Sequence, residues 1–400
     1  MNVELAPVRG PFWTTGVKVM IVFMFAGAVA LVARFTGGLG YVTNSTDAYP
    51  WGLWIGVNVA GGVGLAAGGF TTGAIAYVLN RKQFHLILRP ALFTALLGYT
   101  FVVLALMTDL GRYWNMHSPM MNWNGTSVLF AVAICVMVST TILYIECIPI
   151  VAERFEGNVN LPRLISKLNP LVDGLLGFAN RLTHKVMIVV VIVGIVFSCL
   201  HQSSLGALML IAPSKVHPLW YTPILPLLFL MSAIAAAYPV VIFEHLLVGR
   251  SLGMKPRMDI LTPLATFMPV LMGIYLLLKI GDMIARGTHT YLFDWTAQTN
   301  AFLVEIIFGV ILPFVLVTLP KIRRSPGWLF FTACLAIFGL LINRINVFLV
   351  SYTPPYGGSY YPSIGEVVVT IGFVSTLFFV YRLAVTHLPI LAAEKRGDVQ

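Results

Sequence analysis

The sequence predicts an all-α, polytopic membrane protein with about ten transmembrane helices. Of its 400 residues, 58% are apolar and only 10% are charged, whereas about a quarter of an ordinary soluble domain is charged. A bilayer core about 30 Å thick requires about 20 mostly apolar residues per helix, and the apolar runs of this chain reach that length. They contradict a transmembrane barrel, which would need short strands of alternating polarity.

The apolar runs follow one another along the chain and leave no room for a separate soluble domain. We therefore treat residues 1–400 as one membrane domain. Arg9 and Lys18 lead into a full-length first span without a small-residue cleavage site, which argues against a removed signal peptide. The longest connection, residues 153–185, has mixed charge and two prolines, and we expect it to lie along the membrane surface. The predicted spans are 16–36, 52–79, 90–109, 126–150, 185–201, 219–244, 260–280, 298–319, 328–349 and 365–386.

Basic residues are concentrated on the side of the predicted bundle that holds both termini. The positive-inside rule therefore predicts that both termini are cytoplasmic, and the net charge of +10 reflects this topology without requiring a nucleic-acid partner. The nineteen residues on that side are Arg9, Lys18, Arg81, Lys82, Arg89, Arg154, Arg163, Lys167, Arg181, Lys185, Arg250, Lys255, Arg257, Lys321, Arg323, Arg324, Arg382, Lys395 and Arg396. The other six are Arg34, Arg112, Lys215, Lys279, Arg286 and Arg344.

A polar stretch, DLGRYWN at residues 109–115, ends the third predicted span abruptly. Charges at the edge of a span are costly unless they are paired or used. One interpretation is an interfacial anchor, in which Arg112 pairs with Asp109 and the aromatic residues lie at the level of the lipid headgroups. The other is one wall of a site for a redox ligand or a proton-carrying ligand at the water boundary.

A second polar stretch, HQSSLG at residues 201–206, follows the fifth predicted span, and KVHPLW at residues 215–220 comes soon after it. At about 1.5 Å per residue, His201 lies about 24 Å from Lys185, close to the outer edge of the membrane. We therefore expect His201 and Asp109 to lie at one level.

Two acids are expected in the inner half of the membrane. Glu146 lies about 12 Å along its helix from Arg154, and Glu244 lies about 9 Å from Arg250. Each is either a neutral or paired structural acid, or part of a proton path between the cytoplasm and the outer polar residues.

The sequence offers no electron carrier of its own. A b-type haem in a helical bundle normally needs two facing histidines, but the eight histidines all fall near one edge of the membrane or the other, at positions 85, 184, 245 and 387 or 117, 201, 217 and 289. Cysteines 135, 147, 199 and 334 lack the spacing of an iron–sulfur or zinc site. We therefore expect no haem, no iron–sulfur cluster and no metal in this chain.

The motifs, in their order along the chain, resemble the polysulfide reductase NrfD/PsrC family, and within it the HybB-like branch. That branch contains the hydrogenase-2 membrane subunit and related quinone-interacting subunits of sulfate-reducer respiratory complexes. The resemblance covers nearly the whole chain. It rests on residues 50–54 (PWGLW), 109–115 (DLGRYWN), 201–204 (HQSS), 215–220 (KVHPLW), 243–244 (FE) and 361–363 (YPS) with Glu366.

The resemblance implies ten helices that include two four-helix bundles, no haem, and a menaquinone or ubiquinone site near the outer face. It also implies an iron–sulfur partner on the periplasmic side of a bacterial or archaeal inner membrane, which leads to a catalytic subunit or a multihaem cytochrome. Quinone reduction consumes two electrons and two protons, so its site needs hydrogen-bond donors and titratable groups. The residues predicted for this site are Asp109, Arg112, Tyr113, His201 and Gln202, with Asp109 and His201 as the catalytic pair.

Further polar residues of the spans are assigned to proton transfer. Glu146, Glu244, Glu305, Arg344 and Glu366 form the predicted proton path. His217, Glu305, Arg344 and Glu366 are also second-choice residues for the quinone site, since the outer cluster of the second bundle could serve proton transfer or partner docking instead.

Three other functions remain open at this point. The first is a redox-driven proton translocator that uses the inner acids. The second is a small-molecule or ion transporter, although the sequence has no clear inverted repeat with paired broken helices, and its polar groups concentrate at the outer rim. The third is a passive membrane anchor for a periplasmic oxidoreductase, which would have no need to bear the cost of burying Glu146, Glu244 and Glu305.

Overall fold

The computed structural model describes residues 3–8, 11–160, 162–354 and 357–394. Ten of its helices are long and apolar enough to cross a membrane, and each overlaps one predicted span, so the polytopic all-α fold is confirmed. They are α1 (Thr15–Gly37), α2 (Trp54–Val78), α3 (His85–Asp109), α4 (Val128–Phe155), α5 (Ser166–Ile211), α6 (Leu225–Leu252), α7 (Met258–Ala285), α8 (Ala297–Thr318), α9 (Pro326–Val350) and α10 (Ile364–His387).

The two ends of the described chain meet at one face of the bundle. Strand β1 (Val3–Leu5) pairs antiparallel with β2 (Ala392–Glu394). Because the ten spans alternate in direction, we call this side the terminal face and the other side the opposite face. Arg9, Lys395 and Arg396, three of the basic residues used to predict orientation, lie outside the described residues.

Short helices fill several of the loops between the spans. They are Leu39–Val42, Lys82–Phe84, Tyr113–Asn115, Ser118–Met121, Thr288–Phe293 and Pro320–Arg324.

The fifth span differs most from its prediction. Residues 153–185 were expected to form a surface connection, but one α-helix runs from Asn169 to Leu208. Pro170 does not break this helix, because it falls in the first turn, where a missing N–H group costs nothing. Glu156 then fastens the start of the helix to the end of α4 by accepting a 2.8 Å hydrogen bond from Asn180.

The helices form two four-helix bundles, as expected for the predicted fold. Helices α2–α5 make the first bundle and α6–α9 the second, and α2 joins them through contacts with α6 and α9. Helices α1 and α10 pair with each other beside the first bundle, where α10 contacts α3. Small residues allow this close pairing, since a Cβ atom added to Gly27 would lie 2.8 Å from the Cα atom of Gly372.

Candidate functional site

A buried arginine of α1 closes the end of α3. Arg34 is only 2% exposed, and its guanidinium donates hydrogen bonds of 2.8 Å to the carbonyl oxygens of Thr108 and Leu110. A cation at the C-terminal end of a helix satisfies carbonyl groups that have no partner within the helix. The same charge attracts Asp109, the half-buried last residue of α3.

Arg112 does not make the expected pair with Asp109. It is exposed, and within the described part of the chain it forms no ion pair. Leu110 leaves the helix with an extended backbone (φ −66°, ψ 123°), so Arg112 does not lie one helical turn beyond Asp109. The expected pairing is therefore wrong, and Arg34 is the cation that acts on Asp109.

Glu366 brings the first turn of α10 into the same region. It is 1% exposed, and it accepts hydrogen bonds from the backbone N–H groups of Asn44 (2.9 Å) and Leu53 (3.2 Å) and from the hydroxyl of Tyr360. Burial raises the pKa of Tyr360, and its hydrogen bond to Glu366 raises that pKa further, so the phenol stays protonated as a donor. Asp109 is close enough to Glu366 for the two carboxyl groups to interact.

We call Arg34, Asp109, Tyr360 and Glu366 the rim cluster. It lies at the opposite face, where α1, α3 and α10 meet the start of α2. Gly52, in the middle of the PWGLW motif, makes room for it, because a Cβ atom there would lie 2.8 Å from the hydroxyl oxygen of Tyr360.

Tyr113 lies beside this cluster in an aromatic group. Its ring packs edge-on against Phe35, with 5.0 Å between the ring centroids, and against Trp114 at 5.1 Å. Trp114 is 60% exposed. These aromatic residues fit the interfacial belt of the anchor interpretation. A passive anchor, however, has no need for the carboxyl groups of Asp109 and Glu366 to lie close together.

His201 is completely buried inside the first bundle. Its ring lies 5.6 Å from the ring of Tyr99, and neither of its nitrogens has a hydrogen-bond partner among the described residues. The side chain of the next residue, Gln202, donates a 2.9 Å hydrogen bond to the carbonyl oxygen of Val63, while its own Oε1 has no partner there. Most buried polar groups in proteins are hydrogen-bonded, so the missing partners of these atoms mark His201 and Gln202 as candidate site residues.

His201 and Asp109 do not lie at one level, and this expectation is wrong. Tyr99, which contacts His201, precedes Asp109 by ten residues on α3, a rise of about 15 Å. The prediction measured the depth of His201 from Lys185, but α5 begins at Ser166 and continues ten residues beyond His201 to Ile211. The predicted site residues therefore separate into a rim group of Asp109, Arg112 and Tyr113, and a deeper pair of His201 and Gln202.

The second bundle holds a buried ion pair between Glu305 and Lys279. The Glu305 carboxylate also accepts hydrogen bonds from the side chains of Trp220 (2.9 Å), Asn343 (2.8 Å) and Asn346 (2.8 Å). A buried carboxylate needs such a complete set of donors to offset its desolvation. Asn346 comes from a π-helical segment, Asn346–Val350, which ends α9.

Arg344 lies next to this ion pair and is also fully buried. It donates hydrogen bonds to the side-chain oxygen of Asn343 (2.6 Å) and to Ser232 (2.9 Å), and its guanidinium stacks over the Phe229 ring at 3.7 Å. His217 lies nearer the opposite face, with its ring 6.0 Å from that of Trp220. Burial lowers the pKa of His217, so its neutral form is favoured.

The two inner acids belong to different bundles. Glu146 of α4 is 3% exposed, and Glu244 of α6 is 7% exposed. Glu244 accepts a 2.7 Å hydrogen bond from the hydroxyl of Tyr381, whereas one oxygen of each acid has no partner in the described chain. No group of three or more His, Cys, Asp or Glu side chains among the described residues is arranged to hold a metal ion.

Several of these polar residues were missed in the sequence, although a signal for two of them was visible. Arg34 and Lys279 belong to the six basic residues that fall outside the predicted cytoplasmic side, and a cation inside a span requires a partner. Tyr360, Asn343 and Asn346 give no such signal, because uncharged polar residues are common near helix ends.

The fold and these buried polar groups define the class of protein. The chain belongs to the polysulphide reductase NrfD family, whose model matches residues 41–355. The predicted family is thereby confirmed.

Individual relatives extend over almost the whole chain. A protein of Nitratidesulfovibrio vulgaris is 36% identical over 391 residues, which cover 94% of this chain and 95% of the relative. The probable Ni/Fe-hydrogenase 2 b-type cytochrome subunit of Escherichia coli is 31% identical over 404 residues, with coverages of 100% and 98%. The integral membrane subunit of menaquinone reductase from N. vulgaris is 24% identical over 405 residues, with coverages of 94% and 91%.

Proposed function

We propose that this chain is the quinone-interacting membrane subunit of a respiratory oxidoreductase complex in a bacterial inner membrane. In this role it exchanges electrons between a partner protein and menaquinone or ubiquinone in the bilayer. The names of the hydrogenase and menaquinone reductase relatives support this general role. The quinone is a substrate of the site and is not a resident cofactor.

The observation that carries this proposal is the pair of unpartnered nitrogens on His201. A neutral imidazole has one N–H donor and one acceptor, and leaving both unmade in the protein interior costs free energy. A quinone carbonyl can accept a hydrogen bond from this N–H group, and Gln202 offers a further polar atom beside it. We assign the quinone ring to His201 and Gln202, with Tyr99 packed against the imidazole.

We assign the rim cluster to proton exchange with the water at the opposite face. One ring cannot hydrogen-bond to both His201 and Asp109 across about 15 Å, so Asp109 acts on the protons and not on the ring itself. The carboxyl groups of Asp109 and Glu366 with the Tyr360 hydroxyl provide groups that can pass a proton to water. Arg112 and Tyr113 flank this exit.

The partner is assigned to the opposite face, where the rim cluster lies. We propose that it is an iron–sulfur subunit, which connects to a catalytic subunit or a multihaem cytochrome. Since basic residues predict a cytoplasmic terminal face, this partner lies in the periplasm. Reporter fusions after Lys82 and Arg324 should report cytoplasm, and fusions near Thr126 and Gly357 the outer side; a reversed pattern would contradict the orientation.

We also propose that the chain carries no haem, although the name of the E. coli relative includes a b-type cytochrome. A reduced-minus-oxidised spectrum of the isolated subunit should show no b-type bands.

Proton translocation is the second part of the proposal. Glu146, Glu244 and Glu366 are assigned to a path across the membrane, because Glu146 and Glu244 each keep a free carboxyl oxygen. Glu305 and Arg344 would first have to give up their bonds with Lys279 and Asn343, so we assign them to stabilising the second bundle.

The test compares quinone-linked turnover with electron transfer to an artificial dye in membranes with matched subunit levels. Asp109→Asn and His201→Ala should each lower quinone-linked turnover at least about a hundredfold, the lower range for loss of a positioned acid or base. Dye reduction by the soluble partner should survive. Asp294→Asn and His117→Ala, at exposed positions of the same face, are the matched controls and should retain both activities.

Each other outcome has a defined meaning. Joint loss of assembly and dye activity in both variants would favour a passive anchor. Unimpaired quinone turnover in both variants would remove these residues from the quinone site.

A further inference from the structure

A large apolar cavity lies between the two bundles. It has a volume of about 260 Å³ and is lined by α2, α3, α6, α9 and α10, almost entirely with carbon atoms. Val374 of α10 lines it and is 48% exposed, so the cavity opens on a lipid-facing side of the protein. It lies outside the interior of the first bundle, where His201 is buried, and is therefore a separate compartment.

The cavity is elongated along the helices. Its lining residues on α10 run from Phe373 to Tyr381, which corresponds to about 12 Å along the helix axis. On α2 they run from Val57 to Ala66. A flat ring followed by a short hydrocarbon chain fits a space of this shape.

A second, smaller compartment extends from the terminal face toward the Glu244 end of this cavity. Its volume is about 50 Å³, and Lys255 and Arg257 line its outer part. This is enough room for several water molecules. Glu244 and Tyr381 line both compartments, so this pair lies between the smaller pocket, with its two basic residues, and the apolar cavity.

Three buried polar atoms in the lining of the cavity have no hydrogen-bond partner among the described residues. They are Oε2 of Glu244, whose other oxygen is held by Tyr381, Oγ1 of Thr94, which lies beside the Glu244 carboxyl group, and Nδ2 of Asn58. Glu244 is 7% exposed. A lipid acyl chain would fill the cavity but would offer these atoms no hydrogen bond, at a cost in free energy. The occupant that fits best therefore combines an apolar chain with a headgroup that can form hydrogen bonds.

We propose that this cavity is a second binding site for an isoprenoid quinone or quinol, with its headgroup hydrogen-bonded to Glu244. A quinol hydroxyl can donate to Oε2, and a quinone carbonyl can accept from the carboxyl group when that group is protonated. Tyr381 is a positioning residue that fixes the carboxyl group, and the isoprenoid chain lies between α2 and α10. This inference rests on the proposed function in that the ligand is a quinone, but it does not depend on the His201 site.

Photoaffinity labelling of the full chain in phospholipid nanodiscs tests the proposal. The probe is an azido-naphthoquinone with a short isoprenoid chain, and the labelled peptides are identified by mass spectrometry. We expect two groups of labelled peptides, one around Glu244 and Tyr381 and one around His201. Excess phospholipid with saturated chains should not displace the first group, whereas unlabelled isoprenoid naphthoquinone should.

Variants then separate the two sites. Leu65→Trp fills the cavity and should reduce labelling around Glu244 and Tyr381 at least about tenfold while labelling around His201 persists. Glu244→Leu should weaken labelling of the cavity about tenfold, as expected for loss of one buried hydrogen bond to a charged or strongly polar group. Leu104→Trp, at a position on α3 that is 42% exposed and does not line the cavity, is the matched control and should change neither group.

Folding is checked for each variant by gel filtration and helical circular dichroism. If Leu65→Trp fails to fold, Val374→Trp at the mouth of the cavity replaces it.

The failures of the two proposals are distinguishable. Labelling confined to the His201 region, or labelling around Glu244 that persists when the cavity is filled, would overturn the second site and leave the proposed function intact. Labelling around Glu244 and Tyr381 alone would support the second site and overturn the assignment of His201. Labelling in neither region would overturn both.

Discussion

Two buried polar groups, Glu305 of the second bundle and His201 of the first, differ in their hydrogen bonding. In the second bundle, the two carboxyl oxygens of Glu305 are bonded by Lys279, Trp220, Asn343 and Asn346. In the first bundle, His201 is equally buried but has no partner for either ring nitrogen in the described chain. Burial alone therefore does not distinguish a structural polar group from a functional one.

The difference lies in the bonds that each group leaves unmade. A buried ion pair with a full set of donors is closed to a ligand, because any new contact would have to replace an existing one. An unpartnered imidazole gains from a ligand without losing anything. We accordingly expect substitutions in the Glu305 network to affect stability first, and substitutions at unpartnered groups such as His201 to affect turnover first.

The largest effect is expected where a closed network is broken. Lys279→Met leaves the Glu305 carboxylate buried without its cation, which costs about 3–5 kcal/mol when a buried pair loses one partner. The free energy of unfolding in detergent, or the amount of assembled protein in membranes, measures this loss. Lys321→Met, at an exposed position of the short helix Pro320–Arg324 between α8 and α9, is the control and should change stability by less than about 0.5 kcal/mol.

The double substitution Lys279→Met with Glu305→Leu sharpens this comparison. Because it removes both charges, it should recover part of the lost stability. A double variant as unstable as Lys279→Met would show that the pair is not the origin of the effect.

How far these features follow from the sequence depends on how local they are. The ten spans are predictable because each rests on about 20 consecutive apolar residues, and the PWGLW and DLGRYWN motifs identify the family. The length of α5 was not predictable, because its first part is charged and is held by a contact with Glu156, directly after α4. The depth of His201 was misjudged for the same reason.

The partners of the acidic residues were also beyond the sequence. Arg34 and Asp109 are 75 residues apart, and no local pattern indicates that α1 packs beside the end of α3. Arg112 was chosen because it is close in the sequence, although the extended backbone at Leu110 separates it from the carboxyl group. Pairings of this kind are set by helix packing.

An intermediate effect is expected at the rim cluster, which combines structure and function. Arg34→Met removes two hydrogen bonds to carbonyl oxygens at the end of α3 and the cation that attracts Asp109. We expect a loss of stability of about 2 kcal/mol, since bonds from charged donors contribute about 1.5–3 kcal/mol each before relaxation. Quinone-linked turnover should fall as well. Thermal unfolding and turnover are measured on the same preparations.

Arg112→Met is the matched control for this variant, because it removes the same charge from an exposed position in the same region. It should leave stability within about 0.5 kcal/mol. An equal loss of stability in both variants would mean that Arg34 has no special role at the end of α3.

The smallest effect on stability, but a specific effect on proton movement, is expected for the inner acids. Glu146→Gln and Glu244→Gln keep the shape of each side chain, and one oxygen of each acid has no partner among the described residues. Assembly, quinone binding at the His201 site and dye activity should therefore remain close to those of the unchanged protein. Quinone-linked turnover should slow, or the movement of charge across the membrane that accompanies it should disappear. The reason is that an amide cannot release or accept a proton as a carboxyl group does. Glu153→Gln controls for loss of an acid on the same helix as Glu146, since Glu153 is exposed and its ion pair with Arg89 is a surface contact that contributes little. Proton uptake by the complete complex in proteoliposomes distinguishes the cases: unchanged uptake in both inner variants would make Glu146 and Glu244 structural acids, as Glu305 is.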